Sequence, residues 1–447
     1  MKILMKTIKN NNKNKKLLYW AISLLVIFFL TATTSGYSAD QASAIIKLPA
    51  GEHAIIVEKA TQTLYLISFP DNELFINSKM PCSTGEISGK KQISGDKKTP
   101  EGVYFLHKKY QEKELSPIYG KRAFPLDYPN IVDKKIGNSG SAIWIHGTNK
   151  PLKPMNSNGC IVLSNLHVLQ LEQDIKLNST PVIVTDLIKK TDKKLTLAHS
   201  KSISTMLDNF LASITLSGYH GYLSFFSDKY LPYISWWTKW MDIRKDFADK
   251  GLIMKLEREN TGIYYYDNIF VCIFDLYLTI DSEKIYLGKR KFFLEKQEQL
   301  YKIIGDTYQQ PEKEFETQDN APPFLAGTLK FHKIKQANLI KTLVKEWLNS
   351  WSEKDIDSYA DFYSDKFYSD GMNKTQWLNR KKEIAVNNKV IEIAAADFHI
   401  VRKEKTFEVK FFQDYKSDTH LSKGIKTLKF RKRDGAWKIY QESWKGK

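Results

Sequence analysis

Cysteine is scarce in this chain: Cys82, Cys160 and Cys272 are the only three among 447 residues, too few for a disulfide framework. Cys82 could pair with another cysteine in an oxidising compartment, but an odd count leaves at least one thiol free. Acidic residues are outnumbered as well, 50 against 68 lysines and arginines, which gives a net charge of +18. The lysines are spread along the whole chain and form no arginine-rich stripe, so a solvated basic surface fits better than a nucleic-acid groove. Apart from Leu17 to Leu30, which is short for a membrane span, long apolar runs are missing too. In the second half His220 and His399 are isolated, and no His pairs convincingly with an Asp or Glu there.

The length implies two to four domains. A hydrophobic content of 42%, with 13% aromatic residues, is ample for their cores. Lys2, Lys6, Lys9, Lys13, Lys15 and Lys16 precede the Leu17 to Leu30 run without an acidic residue. That is the layout of a secretory leader, assigned here to residues 1–39 as a signal peptide or an uncleaved signal anchor. Small residues from Ser35 to Ala39 suit a signal peptidase, although Tyr37 spoils the simplest A-x-A register. The expectation is an exported protein of the periplasm or cell envelope, touching the membrane only through this segment. Export also argues against a nucleic-acid partner.

The chemistry concentrates in Trp144 to Leu163, W-I-H-G-T-N-K-P-L-K-P-M-N-S-N-G-C-I-V-L. A short apolar strand, Ala142 to Ile145, delivers His146 to a Gly147-Thr148 turn, and a polar loop leads through Ser157-Asn158-Gly159 to Cys160. A thiol is mostly protonated at neutral pH, so a working cysteine needs a base or a cation beside it, and His146 is suited to that role. Gly159 lets the backbone turn tightly, so that amide N–H groups near Cys160 can face a developing oxyanion. Taken singly, a buried histidine and an inert cysteine would be the ordinary reading of either residue.

H-G-T followed by S-x-G-C-I resembles the signature of the L,D-transpeptidase catalytic domain, the YkuD family. Asp96-Lys97-Lys98-Thr99-Pro100-Glu101-Gly102-Val103-Tyr104 resembles that family's D-x-x-T-P-x-G-x-Y/F block, and Ser83-Thr84-Gly85 its S-T-G turn. The resemblance covers roughly Ala54 to Asp186. It implies a mostly β catalytic domain in which Cys160 attacks the carbonyl of the L–D bond of a peptidoglycan stem peptide and forms a thioester. His146 would stabilise the thiolate and then protonate the leaving amine. Gly159, Ser157, Asn158 and Gly147 would shape the oxyanion site and orient the pair. No metal or cofactor is implied.

Two positions depart from the pattern. The usual Arg after Gly-Cys-Ile is Val162, and the usual acidic residue following Asn165 is His167. Losing the Arg removes a donor fork for a substrate carboxylate. Lys150, Lys153 and Arg122 are candidates to replace it, with Thr148 beside them in the substrate site. Transfer to a second stem's amine and hydrolysis of a tetrapeptide (L,D-carboxypeptidase action) therefore both stay open. So does a reading of another class, a wall-binding scaffold with a decayed site, against which the intact His146, Ser157, Gly159 and Cys160 weigh.

Elsewhere in this domain, Ala54 to Ile67 reads as two strands, Gly85 to Lys98 as a mobile surface loop, and the Pro- and Tyr-rich Leu115 to Ile136 as a loop over the cleft. A short helix is expected near Leu166 to Leu171, and a last strand from Thr180 to Val184. After Lys189 to Lys194 the pattern changes. Tyr222 to Tyr230 (Y-L-S-F-F-S-D-K-Y) matches Tyr359 to Phe367 (Y-A-D-F-Y-S-D-K-F) at an offset of 137 residues, which also relates Trp240 to Trp377 and Lys245 to Lys382. Helices followed by aromatic strands in each copy resemble the NTF2-like α+β cone, twice over. The expected domains are 40–190 catalytic, 195–310 first repeat, 311–333 linker and 334–447 second repeat. The combination resembles the cell-shape L,D-carboxypeptidases of helical bacteria. The repeats are expected to bind substrate or another cell-wall protein and to do no chemistry, so that a chain cut near Lys190 should still act on a soluble muropeptide.

Overall fold

The computed structural model describes residues 44–70, 73–311 and 322–447; the expected leader lies outside them. Among the described residues no helix is long and apolar enough to cross a membrane. The chain divides into two compact units, residues 1–324 and 325–447.

In the first unit the strands run β1 (Ile45–Lys47), β2 (Ala54–Glu58), β3 (Thr63–Ser68), β4 (Phe75–Pro81), β5 (Gly102–Phe105), β6 (Tyr110–Gln111) and β7 (Arg122–Pro125). Helix α1 (Ile131–Lys135), β8 (Trp144–His146), β9 (Ile161–Val162), α2 (Asn165–Glu172) and β10 (Pro181–Thr185) follow. Five strands form one sheet in the order β4-β3-β2-β10-β5, with β10 parallel to β2; the other sheet is β6-β7-β8-β9. The near-continuous apolar runs of β2 and β10 are explained by burial on both faces. Ile55, Val57, Val182 and Val184 meet Ile145, Ile161 and Leu163 in the core between the two sheets. Ala54, Ile56 and Ile183, the alternate positions, face outward.

That outward face is not solvated. Helices α3 (Lys193–Leu216), α4 (Tyr219–Leu223) and α5 (Trp237–Asp249) lead into a meander of β11 (Met254–Tyr266), β12 (Ile269–Ile280), β13 (Glu283–Gln297) and β14 (Leu300–Pro311). Its Tyr264, Val271, Ile273 and Phe293 share a second core with Ile56, Val103, Phe105 and Ile183. Strand β1, expected to lie with the catalytic residues that follow it, instead joins the edge of this sheet, Ile45 opposite Tyr264. The catalytic sandwich and the helices and meander that follow it thus belong to one compact unit, which changes the expectation for a chain cut near Lys190.

In the second unit helices again precede an antiparallel meander. Helices α6 (Pro323–Ser352) and α7 (Ile356–Asp361), the short pair β15 (Tyr368–Ser369) and β16 (Met372–Asn373), and α8 (Lys374–Asn387) precede a meander of β17 (Ile391–Lys403), β18 (Thr406–Ser417), β19 (Leu421–Arg433) and β20 (Ala436–Gly446). Helices and curved sheet enclose Trp347, Tyr359, Tyr363, Trp377, Phe411 and Phe430. The linker expected to reach residue 333 is shorter at that end, because α6 begins at Pro323. Proline suits the first helical turn, where its missing N–H is not needed, so the Pro322-Pro323 pair marks a helix start as much as a linker. Most of the remaining linker, 312–321, is outside the described residues.

Candidate active site

His146 ends β8 and Cys160 stands immediately before β9. The two strands pair in parallel, Ile145 with Ile161 and His146 with Val162, so the loop between them returns the thiol to the level of the histidine's strand. His146 and Cys160 line one cavity of about 270 Å³ with Ser83, Glu86, Ile118, Tyr119, Thr148, Lys150, Lys153, Asn158 and Val162 among its walls.

The buried imidazole is fixed on two sides. Its Nδ1 lies 2.6 Å from the Gly147 carbonyl oxygen. A carbonyl only accepts, so the proton sits on Nδ1 and Nε2 is left as the base. The Tyr119 ring meets the imidazole edge-on at 5.0 Å and packs on Trp144 at 4.9 Å. Gly147 is required by its surroundings: a Cβ there would stand 2.4 Å from Asn165 Oδ1 and 3.0 Å from Val168 Cγ1 on α2, whose first turn is capped by Ser164 accepting from the His167 N–H.

The thiol loop is held by its own polar residues. Ser157 Oγ donates to the Cys160 carbonyl (2.7 Å) and accepts from the Gly159 N–H (3.1 Å). Gly159 has φ of +119°, where an added Cβ would stand 2.7 Å from the Lys98 carbonyl, so only glycine fits. Cys160 Sγ lies 3.5 Å from the Ala142 carbonyl, a thiol donating. Burial raises the Cys160 pKa, partly offset by a backbone hydrogen bond from Trp144 and by the Lys91 charge. Burial lowers that of His146, partly offset by the bond to Gly147. Both shifts favour the uncharged forms, thiol and neutral imidazole.

Thr148, Lys150, Lys153, Ser157 and Asn158 all reach the cavity as expected. Arg122 does not line it: Nε donates to Glu172 (2.8 Å) and Nη1 to the Lys121 carbonyl (2.7 Å), so two lysines remain as the nearby cations on its wall. Tyr119, Ile118 and Glu86 were not singled out from the sequence; for Tyr119 and Ile118 the Pro- and Tyr-rich composition of the Leu115 to Ile136 loop was the available signal. The Gly85 to Lys98 loop is pinned down, since Lys91 is buried against Asp96 (2.6 Å) and Lys59 donates to the Gly89 carbonyl (2.6 Å). Cys82 and Cys272 are buried and all three thiols are free.

A second cavity, of about 360 Å³, opens in the 325–447 unit, walled by Trp347, Trp351, Trp377, Trp444, Gln413 and Tyr415. Lys381 Nζ sits over Trp351 at 4.5 Å and over Trp377 at 5.0 Å. Its pKa is pushed down to about 8, chiefly by burial, with Glu442 opposing. Lys426 pairs with the buried Glu442, which also accepts from Tyr363 OH (2.6 Å). Trp377 Nε1 and Gln413 Oε1 are buried without a partner, the kind of polar group a ligand satisfies.

Residues 52–184 match the family model of the YkuD L,D-transpeptidase catalytic domain, and residues 339–443 that of the Cds6 C-terminal NTF2-like domain. The chain thus carries an L,D-transpeptidase catalytic domain followed by an NTF2-like domain. Among solved structures it is similar to Bd1075 of Bdellovibrio bacteriovorus (19% identity over 91% of this chain and 98% of that one, TM-score 0.32). It is also similar to the helical cell shape determining protein Pgp2 of Campylobacter jejuni (22% identity, 60% and 96%, TM-score 0.43), and an NTF2-like protein of Pseudomonas putida resembles part of it (12%, 25% and 86%, TM-score 0.23). No curated protein matches the sequence.

Proposed function

We propose that this is an exported cysteine enzyme of the cell envelope acting on the L–D bond of peptidoglycan stem peptides. The observation that carries this reading is the shared cavity of Cys160 and His146, with the histidine's Nε2 left free by the Nδ1 bond to Gly147. The thiol proton passes to Nε2 as Sγ bonds to the carbonyl carbon of the L-centre. The C–N bond then breaks, His146 returns the proton to the departing D-residue's amine, and a thioester remains. A second stem's amine resolves it in transpeptidation; water does so in hydrolysis. Val162 gives hydrolysis weight, because it places an apolar side chain on the wall where the family pattern has a guanidinium. Mass spectrometry of tetrapeptide muropeptides incubated with the protein tests the reading: tripeptide indicates hydrolysis, exchanged or cross-linked stems indicate transfer, and unaltered substrate would refute both.

The pH dependence follows from burial. A histidine held below its usual 6.5 stays neutral into mild acid, and a thiol held above 9.0 keeps its proton into alkali. The profile of kcat/KM should therefore be flat through neutrality, with its acid limb below pH 6.5 and its basic limb above pH 9.0. In His146→Ala the acid limb should vanish along with most activity. An acid limb in wild type above pH 6.5 would contradict the assignment.

The two helix-and-meander domains read as degenerate copies. Ser227 N–H donates to the Ile303 carbonyl in one, and Ser364 N–H to that of Ile439 in the other. Each domain also encloses a cation–carboxylate pair with the same spacing, Arg290 with Asp306 and Lys426 with Glu442. In the second domain the pair faces the aromatic cavity described above, and we assign wall binding to that cavity. Lys381→Ala should weaken pelleting with sacculi about tenfold, while turnover of a soluble muropeptide stays within twofold of wild type; undiminished pelleting would move the wall contact elsewhere.

A further inference from the structure

The block Thr99-Pro100-Glu101 takes no part in the chemistry above, yet it lies directly beneath the thiol loop. Thr99 is 1% exposed. Its Oγ1 donates to the Gly159 carbonyl (3.0 Å) and accepts from the Gly85 N–H (2.9 Å). Gly159 C=O and Cys160 N–H belong to one planar peptide and point in opposite directions, so whatever fixes the carbonyl aims the amide.

Thr99 is itself braced. Lys59 Nζ donates to the Thr99 carbonyl (3.3 Å), to the Gly89 carbonyl (2.6 Å) and to Glu101 Oε1 (2.8 Å), and both charged side chains are almost wholly buried. The other carboxylate oxygen of Glu101 accepts from Tyr266 OH (2.6 Å). Tyr266 is the last residue of β11, in the first repeat and not in the catalytic sandwich. Its neighbour Asp267 pairs with Lys90 in the same 85–98 segment.

We infer that Thr99 is a positioning residue for the oxyanion, aiming the Cys160 N–H through the Gly159 carbonyl, and that Tyr266 of the first repeat holds Thr99 in place through Glu101 and Lys59. The first repeat is then part of the catalytic apparatus without touching substrate. This rests on Cys160 as the nucleophile, and it adds a division of labour between the copies: one braces the site, the other holds the cavity.

The test uses the full chain with a soluble tetrapeptide muropeptide, at a temperature where circular dichroism shows every variant folded. Thr99→Val, similar in shape but without the donor, should lower kcat by about tenfold, less than the roughly hundredfold or more lost when an oxyanion donor itself is removed, and leave KM within twofold. Thr99→Ser should restore most of kcat. Tyr266→Phe should lower kcat several-fold, whereas Tyr265→Phe, whose hydroxyl meets only Asn268 among the side chains of the same turn, should not. The pH profile of Cys160 alkylation by iodoacetamide should stay that of wild type throughout, since thiol titration is untouched. A wild-type kcat in Thr99→Val or in Tyr266→Phe overturns the relay, as does a kcat loss accompanied by a shifted alkylation profile. If Cys160→Ala is inactive while these variants match wild type, the relay alone fails; an active Cys160→Ala overturns the proposed function and the relay together.

Discussion

Cys160→Ala is expected to lose turnover of a tetrapeptide muropeptide by about a millionfold, the scale seen when a covalent nucleophile is removed and only binding and oxyanion stabilisation remain. The other two thiols cannot take over. Cys82 is 2% exposed and burial pushes its pKa up to about 12, while Cys272 is fully enclosed in the first repeat. Cys82→Ser and Cys272→Ser should keep their activity. Each leaves a hydroxyl in an apolar setting at a cost of about 1–3 kcal/mol where no partner is found, so a lower melting temperature with normal kcat is the expected signature. Labelling with an alkylating agent and peptide mapping supplies the independent check: modification should fall on Cys160 and be absent from the alanine variant. Substantial turnover by Cys160→Ala would sink the mechanism.

A chain ending near Lys190 is expected to fail to fold, contrary to what the sequence suggested. Without β11 to β14, the outward face of the catalytic sheet would present Ile56, Val103, Phe105 and Ile183 to water. Each such side chain contributes about 1.5–3 kcal/mol when buried, so their combined exposure rivals the about 5–15 kcal/mol that holds a whole domain together. Two buried carboxylates would also lose partners: Asp127 would lose Lys291 of β13, and Glu101 would lose the Tyr266 hydroxyl that donates to its second oxygen. The truncated chain should aggregate or bind a hydrophobic dye, and a chain ending near Gln310 should remain folded. Cooperative melting of the shorter chain, with activity intact, would show that the sandwich is self-sufficient.

What could be read from the residues was whatever is encoded locally. His146, Gly147, Ser157, Gly159 and Cys160 lie in one short stretch whose turn and spacing requirements are visible in the letters, and the structure puts His146, Ser157 and Cys160 on one cavity. Strand β12 was legible from its run of apolar residues. Strand β11 was not, because Met254–Tyr266 begins M-K-L-E-R-E-N and reads as a polar surface segment. The fate of Arg122 was hidden as well: only the fold brings Glu172 beside it. Least legible was the burial of both faces of β2 and β10. The apolar run shows that a strand is covered twice, but not that the second cover comes from residues 264–293.

The pairing of Ile45 with Tyr264 bears on how the molecule is made. A strand that precedes the whole catalytic sandwich finds its partner only after that sandwich, three helices and most of β11 have been synthesised. Contacts so distant in sequence slow folding, because a long loop must close before any of them is rewarded. The sandwich residues are synthesised well before the surface that seals their sheet, so a partly synthesised chain presents an open, sticky sandwich. Until residues 254–311 are in place, the sheet face around Val103 and Phe105 stays bare, which makes it the surface most exposed to aggregation during folding.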